Sequence, residues 1–255
     1  MNDPWLQLGL TREADDDTVR AAWLDRERGF FNGTSLFPYL PARIDESVTL
    51  DILAPSHPDG ERWSVATTLQ AQDVDARGFG RYRAADFDEL VDHPVEMGEL
   101  QRVDFEACGV PHAMVISGGA RFDHERLRDD LAMICTAHVR FFGEPAPMPR
   151  YLFQTALADS GHGGLEHRDA TALMATREAM PMPAAAMGTA GTADGATSGA
   201  DGIERSEEYL TFLGLCSHEY FHTWNVKRIK PARFIPYAFE REVPTRLLWF
   251  FEGIT

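Results

Sequence analysis

Apolar and polar residues alternate through much of the first hundred positions. Val48, Leu50 and Ile52 interleave with Ser47, Thr49 and Asp51, and Trp63, Val65, Thr67 and Leu69 resume the two-residue period beyond Pro58-Asp59-Gly60. That pattern predicts a hairpin of two strands about a turn. The character changes near residue 100. Short strands are expected over 103–107 and 113–117, and then a helix over 123–142, where Leu127, Leu131, Ile134, Cys135 and Val139 recur at helical spacing before Gly143 stops it. Another strand follows at 150–157, and 169–177 reads as a strand at a sheet edge, where an extended peptide could pair. The stretch 183–202, almost entirely Ala, Gly, Thr, Ser, Asp, Pro and Met, cannot pack a core and is expected to be a flexible surface insertion. Strands first and helices later define an α+β chain.

The next apolar run, Tyr209 to Cys216, leads into Ser217-His218-Glu219-Tyr220-Phe221-His222. On a helix, residues four apart share a face, so His218 and His222 can aim ring nitrogens at one ion while Glu219 flanks it; this is the H-E-x-x-H pattern of zinc peptidases. Because the approach is apolar nearly all round, the helix should be buried. Its polar trio then needs a buried partner, and a divalent cation is the simplest. Glu219 is the candidate general base.

Two histidines leave a catalytic zinc one protein ligand short. Downstream, Leu247-Leu248-Trp249-Phe250-Phe251-Glu252-Gly253-Ile254-Thr255 carries one carboxylate in an apolar run, and Pro244 is placed to open a helix there. A lone Glu in such a run is costly unless paired, which makes Glu252 the third candidate ligand. Trp224 and Asn225 are expected either to orient these ligands or to pack beneath the helix.

The block His218-Glu219-Tyr220-Phe221-His222-Thr223-Trp224-Asn225-Val226-Lys227-Arg228-Ile229-Lys230-Pro231, followed by Leu248 to Thr255, resembles the bacterial glycyl aminopeptidase family of gluzincin zinc metallopeptidases. Residues 28–37 and 88–98 resemble segments of that family's N-terminal β-domain. The resemblance implies a partial N-terminal β-domain over 1–99, short of its first strands. It also implies a thermolysin-like catalytic domain over 100–255 that is incomplete at its C-terminal side, with the oxyanion-stabilising tyrosine beyond Thr255. One Zn2+ is implied, with a peptide substrate whose first residue is small, Gly or Ala. In related enzymes a loop like Gly163-Gly164-Leu165-Glu166-His167 approaches the substrate backbone, so Gly163, Gly164 and Glu166 are the implied substrate-binding residues. Glu166 would pair with the free α-ammonium. Two alternatives stay open: a gluzincin endopeptidase, if Glu166 does not reach the cleft, and a non-catalytic peptide-binding fragment, if the site is unformed.

Composition narrows the partners. Among 255 residues, 24 Lys and Arg stand against 40 Asp and Glu, a formal charge of −16. That balance argues against nucleic acid and anionic membrane surfaces. Cys108, Cys135 and Cys216 are odd in number, widely spaced and set among apolar residues, as reduced core thiols are. With no signal-like start and no apolar run of about 18 residues, a cytoplasmic location is expected.

Overall fold

The computed structural model describes residues 19–183, 197–198 and 204–255. The bland stretch at 183–202 lies almost wholly outside the described residues. In chain order the elements are β1 (Ala22–Leu24), β2 (Arg28–Phe31), α1 (Gly33–Leu36), β3 (Val48–Ile52), β4 (Ser64–Ala66), β5 (Gln70–Val74), β6 (Gly80–Ala84), α2 (Phe87–Val91), β7 (Val95–Gly98), β8 (Gln101–Ala107), β9 (Val110–Ser117) and α3 (His124–Phe142). They continue with β10 (Tyr151–Ala158), β11 (Gly163–Glu166), β12 (Ala170–Thr176), the two-residue strands β13 (Thr197–Ser198) and β14 (Glu204–Arg205), α4 (Glu207–Phe221) and α5 (Leu248–Phe251). No helix among the described residues is long and apolar enough to cross a membrane.

The N-terminal part forms two antiparallel sheets, ordered β1-β2-β7-β4 and β3-β6-β5. They enclose Phe31, Ile52, Trp63, Leu69, Tyr82 and Leu90. The hairpin expected from 48–52 and 63–69 does not exist. β3 pairs with β6, β4 pairs with β7, and only Ser64–Ala66 of the second run is a strand. Alternation identifies an extended segment with one buried face, but not its hydrogen-bonding neighbour. Here the turn at Pro58 is a short 3-10 helix, Pro58–Arg62, that carries the chain from one sheet to the other.

The second part is one mixed sheet, β11-β12-β10-β9-β8, in which β12, β10 and β9 run parallel and the two outer strands are antiparallel. The strand expected at the edge, 169–177, is interior: β12 lies between β10 and β11 and is buried along nearly its whole length. Such two-sided burial needs no polar face, which explains the unbroken apolar run Ala172-Leu173-Met174-Ala175. The edge is β11 itself.

Helix α3 starts where Asp123 caps it, its side chain accepting the Arg126 N–H at 3.0 Å, and ends at Gly143 with φ 101°. Its Leu127, Leu131, Cys135 and Val139 meet Phe212, Cys216 and Tyr220 of α4 in the larger core. Ser206 caps α4 by accepting the Tyr209 N–H at 3.1 Å, with Glu207 and Glu208 in the first turn opposite the helix dipole. Contrary to the expectation of all-round burial, α4 buries one face and leaves Leu210 38% exposed. All three cysteines are free, as expected, although Cys108 is only half-buried. Between the two parts lies a small cluster of Ala66, Ala113, Val115, Leu152 and Ala170, pinned by Gln154, whose amide donates to the Ala66 and Pro94 carbonyls at 2.8 and 3.0 Å.

Candidate metal centre

His218 lies in the last turn of α4 and His222 caps its end. Their Nε2 atoms face each other at 3.0 Å, and Glu252 Oε2 stands 3.4 Å from the first and 3.5 Å from the second. Donors arranged tetrahedrally on an ion with ~2.0–2.1 Å bonds are about 3.4 Å apart, so this triangle has the dimensions of a zinc ligand set. The tautomer agrees for His222. Its Nδ1 lies 2.8 Å from the Asn225 carbonyl, to which only an N–H can bond, which leaves the Nε2 lone pair free. These residues fit a divalent metal ion.

Glu219 points from the buried side of α4 and is 4% exposed, and its Oε2 has no hydrogen-bond partner. Burial, reinforced by the carboxylates of Glu166 and Glu252, pushes its pKa up to about 8. Donor atoms of Glu166, Glu219 and His222 all lie within 4.8 Å of one another. Strand β11 therefore brings Glu166 to the same point as the helix brings its base.

Why β11 fits so closely against α4 follows from Gly164. Residues two apart share a strand face, so Gly164 and Glu166 both look toward α4. A β-carbon added at Gly164 would overlap the Glu219 side chain, 2.5 Å from its Cγ, whereas one added at Gly163 would meet nothing within 4 Å. The family resemblance implies substrate approach for both glycines. In the fold, Gly164 makes room for Glu219, and only Gly163 borders open space.

Glu252 reaches the site by a different route from the one its sequence suggested. The helix begins at Leu248, not at Pro244, and lasts only to Phe251. The run around it is not buried: Trp249 is 66% exposed, Leu248 59%, and the Glu252 side chain itself 47%. Only Phe251 packs inside. The turn is held by Asn225, whose amide donates to Thr255 Oγ1 at 3.0 Å and to the Phe251 carbonyl at 3.4 Å. Asn225 thus touches both ends of the ligand set, His222 through its carbonyl and the Glu252 turn through its side chain. Trp224 packs in the core, stacked on Phe142. The hydroxyls of Tyr209 and Tyr220 are engaged elsewhere, by Asp130 and His112.

Asp92, 6% exposed, meets Lys227 Nζ at 2.6 Å, Arg168 Nε at 2.8 Å and His167 Nδ1 at 3.4 Å. Burial alone would raise its pKa, but the Lys227 ammonium, then His167 and Arg168, hold it well below the usual carboxylate range. Lys227 does fall inside the motif block. Nothing in Leu90-Val91-Asp92-His93 distinguishes Asp92 from a surface acid. Beside this cluster a cavity of about 410 Å³ is lined by Asn32, Asp92, Leu165, Glu166, Lys227 and Tyr237, among others.

Comparison with known proteins bears on this arrangement. A mixed sheet with helices recurs in a solved aminopeptidase N family protein from Idiomarina loihiensis, 38% identical, with a TM-score of 0.82 over 94% of this chain and 37% of that one. The sequence profile of the Peptidase M61 N-terminal domain matches residues 2–99, and that of the M61 glycyl aminopeptidase matches residues 211–255. Together the two matches span more than half of the chain, which belongs to the M61 peptidase family. At 13% identity, Legionella pneumophila aminopeptidase A shares the fold over 81% of this chain and 23% of its own, with a TM-score of 0.50. No curated protein matches the sequence. The chain spans 37% of the Idiomarina protein's length.

Proposed function

We propose that the protein is a zinc-dependent aminopeptidase that releases small first residues, Gly or Ala, from peptides. Residues 1–99 would form its N-terminal β-domain and 100–255 part of a thermolysin-like catalytic domain. His218, His222 and Glu252 hold one Zn2+, Glu219 is the general base, and Glu166 binds the substrate's α-ammonium. The observation that carries this reading is that two triads, His218, His222 and Glu252 and Glu166, Glu219 and His222, share His222.

Bound there, zinc would polarise the scissile carbonyl and acidify a water molecule. Glu219 accepts the proton of the attacking water and returns it to the leaving amine; its burial beside Glu166 makes it a stronger base than a solvated carboxylate. Strand β11 offers an open edge to the extended substrate backbone. Glu166 ends that strand within 4.8 Å of Glu219 and His222, so an ammonium paired with it sits one residue from the reacting carbonyl. This proximity favours an exopeptidase over a gluzincin endopeptidase, because a chain continuing past the bond would have to displace Glu166 from its place.

Glu219→Gln tests the reading. The variant should keep zinc at the stoichiometry of the unsubstituted protein and lose about 10²–10⁴ in kcat on a glycyl amide, whereas His222→Ala should lose metal and turnover together. Full turnover in Glu219→Gln would remove Glu219 from the reaction.

A further inference from the structure

Glu166 is useful as an anchor only if its distance from the metal ligands is fixed, and β11 is an edge strand of four residues held on one side only. Edge strands of this length are weakly constrained. The restraint comes from the turn that follows. Asp92 Oδ2 takes the Arg168 backbone N–H at 3.3 Å and the Arg168 Nε at 2.8 Å, while Oδ1 faces His167 Nδ1 at 3.4 Å. Arg168 is therefore fastened to that carboxylate twice, through its backbone and its side chain, with the His167 ring lying against it.

The same oxygen, Oδ1, receives Lys227 Nζ at 2.6 Å, five residues beyond His222. From the other side Arg228 donates to the Arg168 carbonyl at 3.0 Å and to the Thr223 carbonyl at 2.8 Å, joining the turn to the residue after His222. Asp92 itself enters from the N-terminal sheets, in the loop between α2 and β7. We infer that Asp92 is a positioning residue: it fixes Glu166 relative to the metal ligands and so sets the preference for a free α-amine. The inference rests on the aminopeptidase reading of Glu166. It gives the N-terminal part a function in the site, which the metal ligands, all from α4 and the Glu252 turn, do not require.

The geometry separates this role from simple support of the fold. Loss of the Asp92 charge loosens the 167–168 turn, which keeps the Arg228 bond to the Arg168 carbonyl and the Arg168–Asp88 ion pair, and leaves His218, His222, Asn225 and Glu252 with their own contacts. Metal binding and amine preference should therefore part company. The test is calorimetric titration of the zinc-loaded protein with glycine amide and with N-acetylglycine amide, in the unsubstituted protein, Glu166→Ala, Asp92→Asn and Arg168→Gln. Arg168 is 35% exposed, so its replacement is tolerated should Asp92→Asn fail to keep the native circular dichroism. The unsubstituted protein should favour the free amine about tenfold or more, as a charge-assisted contact does. Asp92→Asn should lose most of that ratio, and Arg168→Gln part of it, each with one zinc still bound. An unchanged ratio in the folded variants overturns the positioning role while leaving Glu166 as the anchor, and loss of zinc alongside the ratio also overturns it. No preference in the unsubstituted protein overturns the aminopeptidase reading first and this inference with it.

Discussion

Gly164→Ala is the sharpest perturbation the site offers, because it adds one carbon to a residue that is neither ligand nor base. The new methyl would stand 2.5 Å from Glu219 Cγ, against about 3.5–4.0 Å for an ordinary carbon–carbon contact. Something must move by roughly 1 Å. Gly164 lies opposite Leu173 in the ladder of β11 and β12, and the atoms in its way are the far end of the rotatable Glu219 side chain, so the yielding group is the carboxylate. A misplacement of about 1 Å costs on the order of 10² in rate, and complete loss of a general base bounds the effect at about 10⁴. Overpacking should also lower stability by about 1–3 kcal/mol. The assay is kcat on glycyl p-nitroanilide with zinc content measured in the same sample. Gly214→Ala, on the exposed face of α4, is the internal control, since its methyl also meets nothing within 4 Å. Zinc should stay bound in both, with kcat falling only in Gly164→Ala. If the two variants turn over alike, the alternation that aims Gly164 at Glu219 has been misread.

Other consequences can be measured separately. Glu166→Ala should weaken cleavage of peptides with a free N-terminus by a contact of about 1.5–3 kcal/mol and leave N-acetylated ones unaffected; equal losses on both would make Glu166 structural. Asn225→Ala removes the bonds to Thr255 and Phe251 but keeps the carbonyl that orients His222, so zinc affinity, read by chelator competition, should fall about 10–100-fold. Unchanged affinity would show that the Glu252 turn needs no such support. His138 is held neutral by burial, its pKa lowered to about 4, and its Nδ1 has no partner. As pH falls through about 6.5 the unfolded chain takes up this proton before the folded one, so stability drops down to pH 4 and is level below. Between pH 7 and 5 the loss is at most roughly 2 kcal/mol. Urea titrations of His138→Phe should lack that component, and identical pH slopes in both proteins would assign it elsewhere.

Features set by neighbours along the chain can be read without the fold. Helix α3 is readable from its apolar spacing and the Gly143 that ends it, because amphipathicity and glycine stops are local. The same holds for His218, Glu219 and His222, where helical geometry alone puts two imidazoles on one face. Glu252 was found by an argument about burial that the fold does not support, since its side chain is 47% exposed. A carboxylate in an apolar run has two explanations, a buried partner or an apolar surface, and composition cannot separate them.

Strand pairing, by contrast, is settled by contacts between distant parts of the chain. β3 and β4 have the alternation of a hairpin yet lie in different sheets, and 169–177 became interior because β11 folds back onto it. Pairing depends on residues far apart in the chain, about which a periodic pattern carries no information. For the same reason Asp92 and Gly164 could not be recognised in advance. Each has its meaning from a group brought to it by folding, Lys227 in one case and Glu219 in the other, and the energy of a buried charge or a missing β-carbon depends on that neighbour alone.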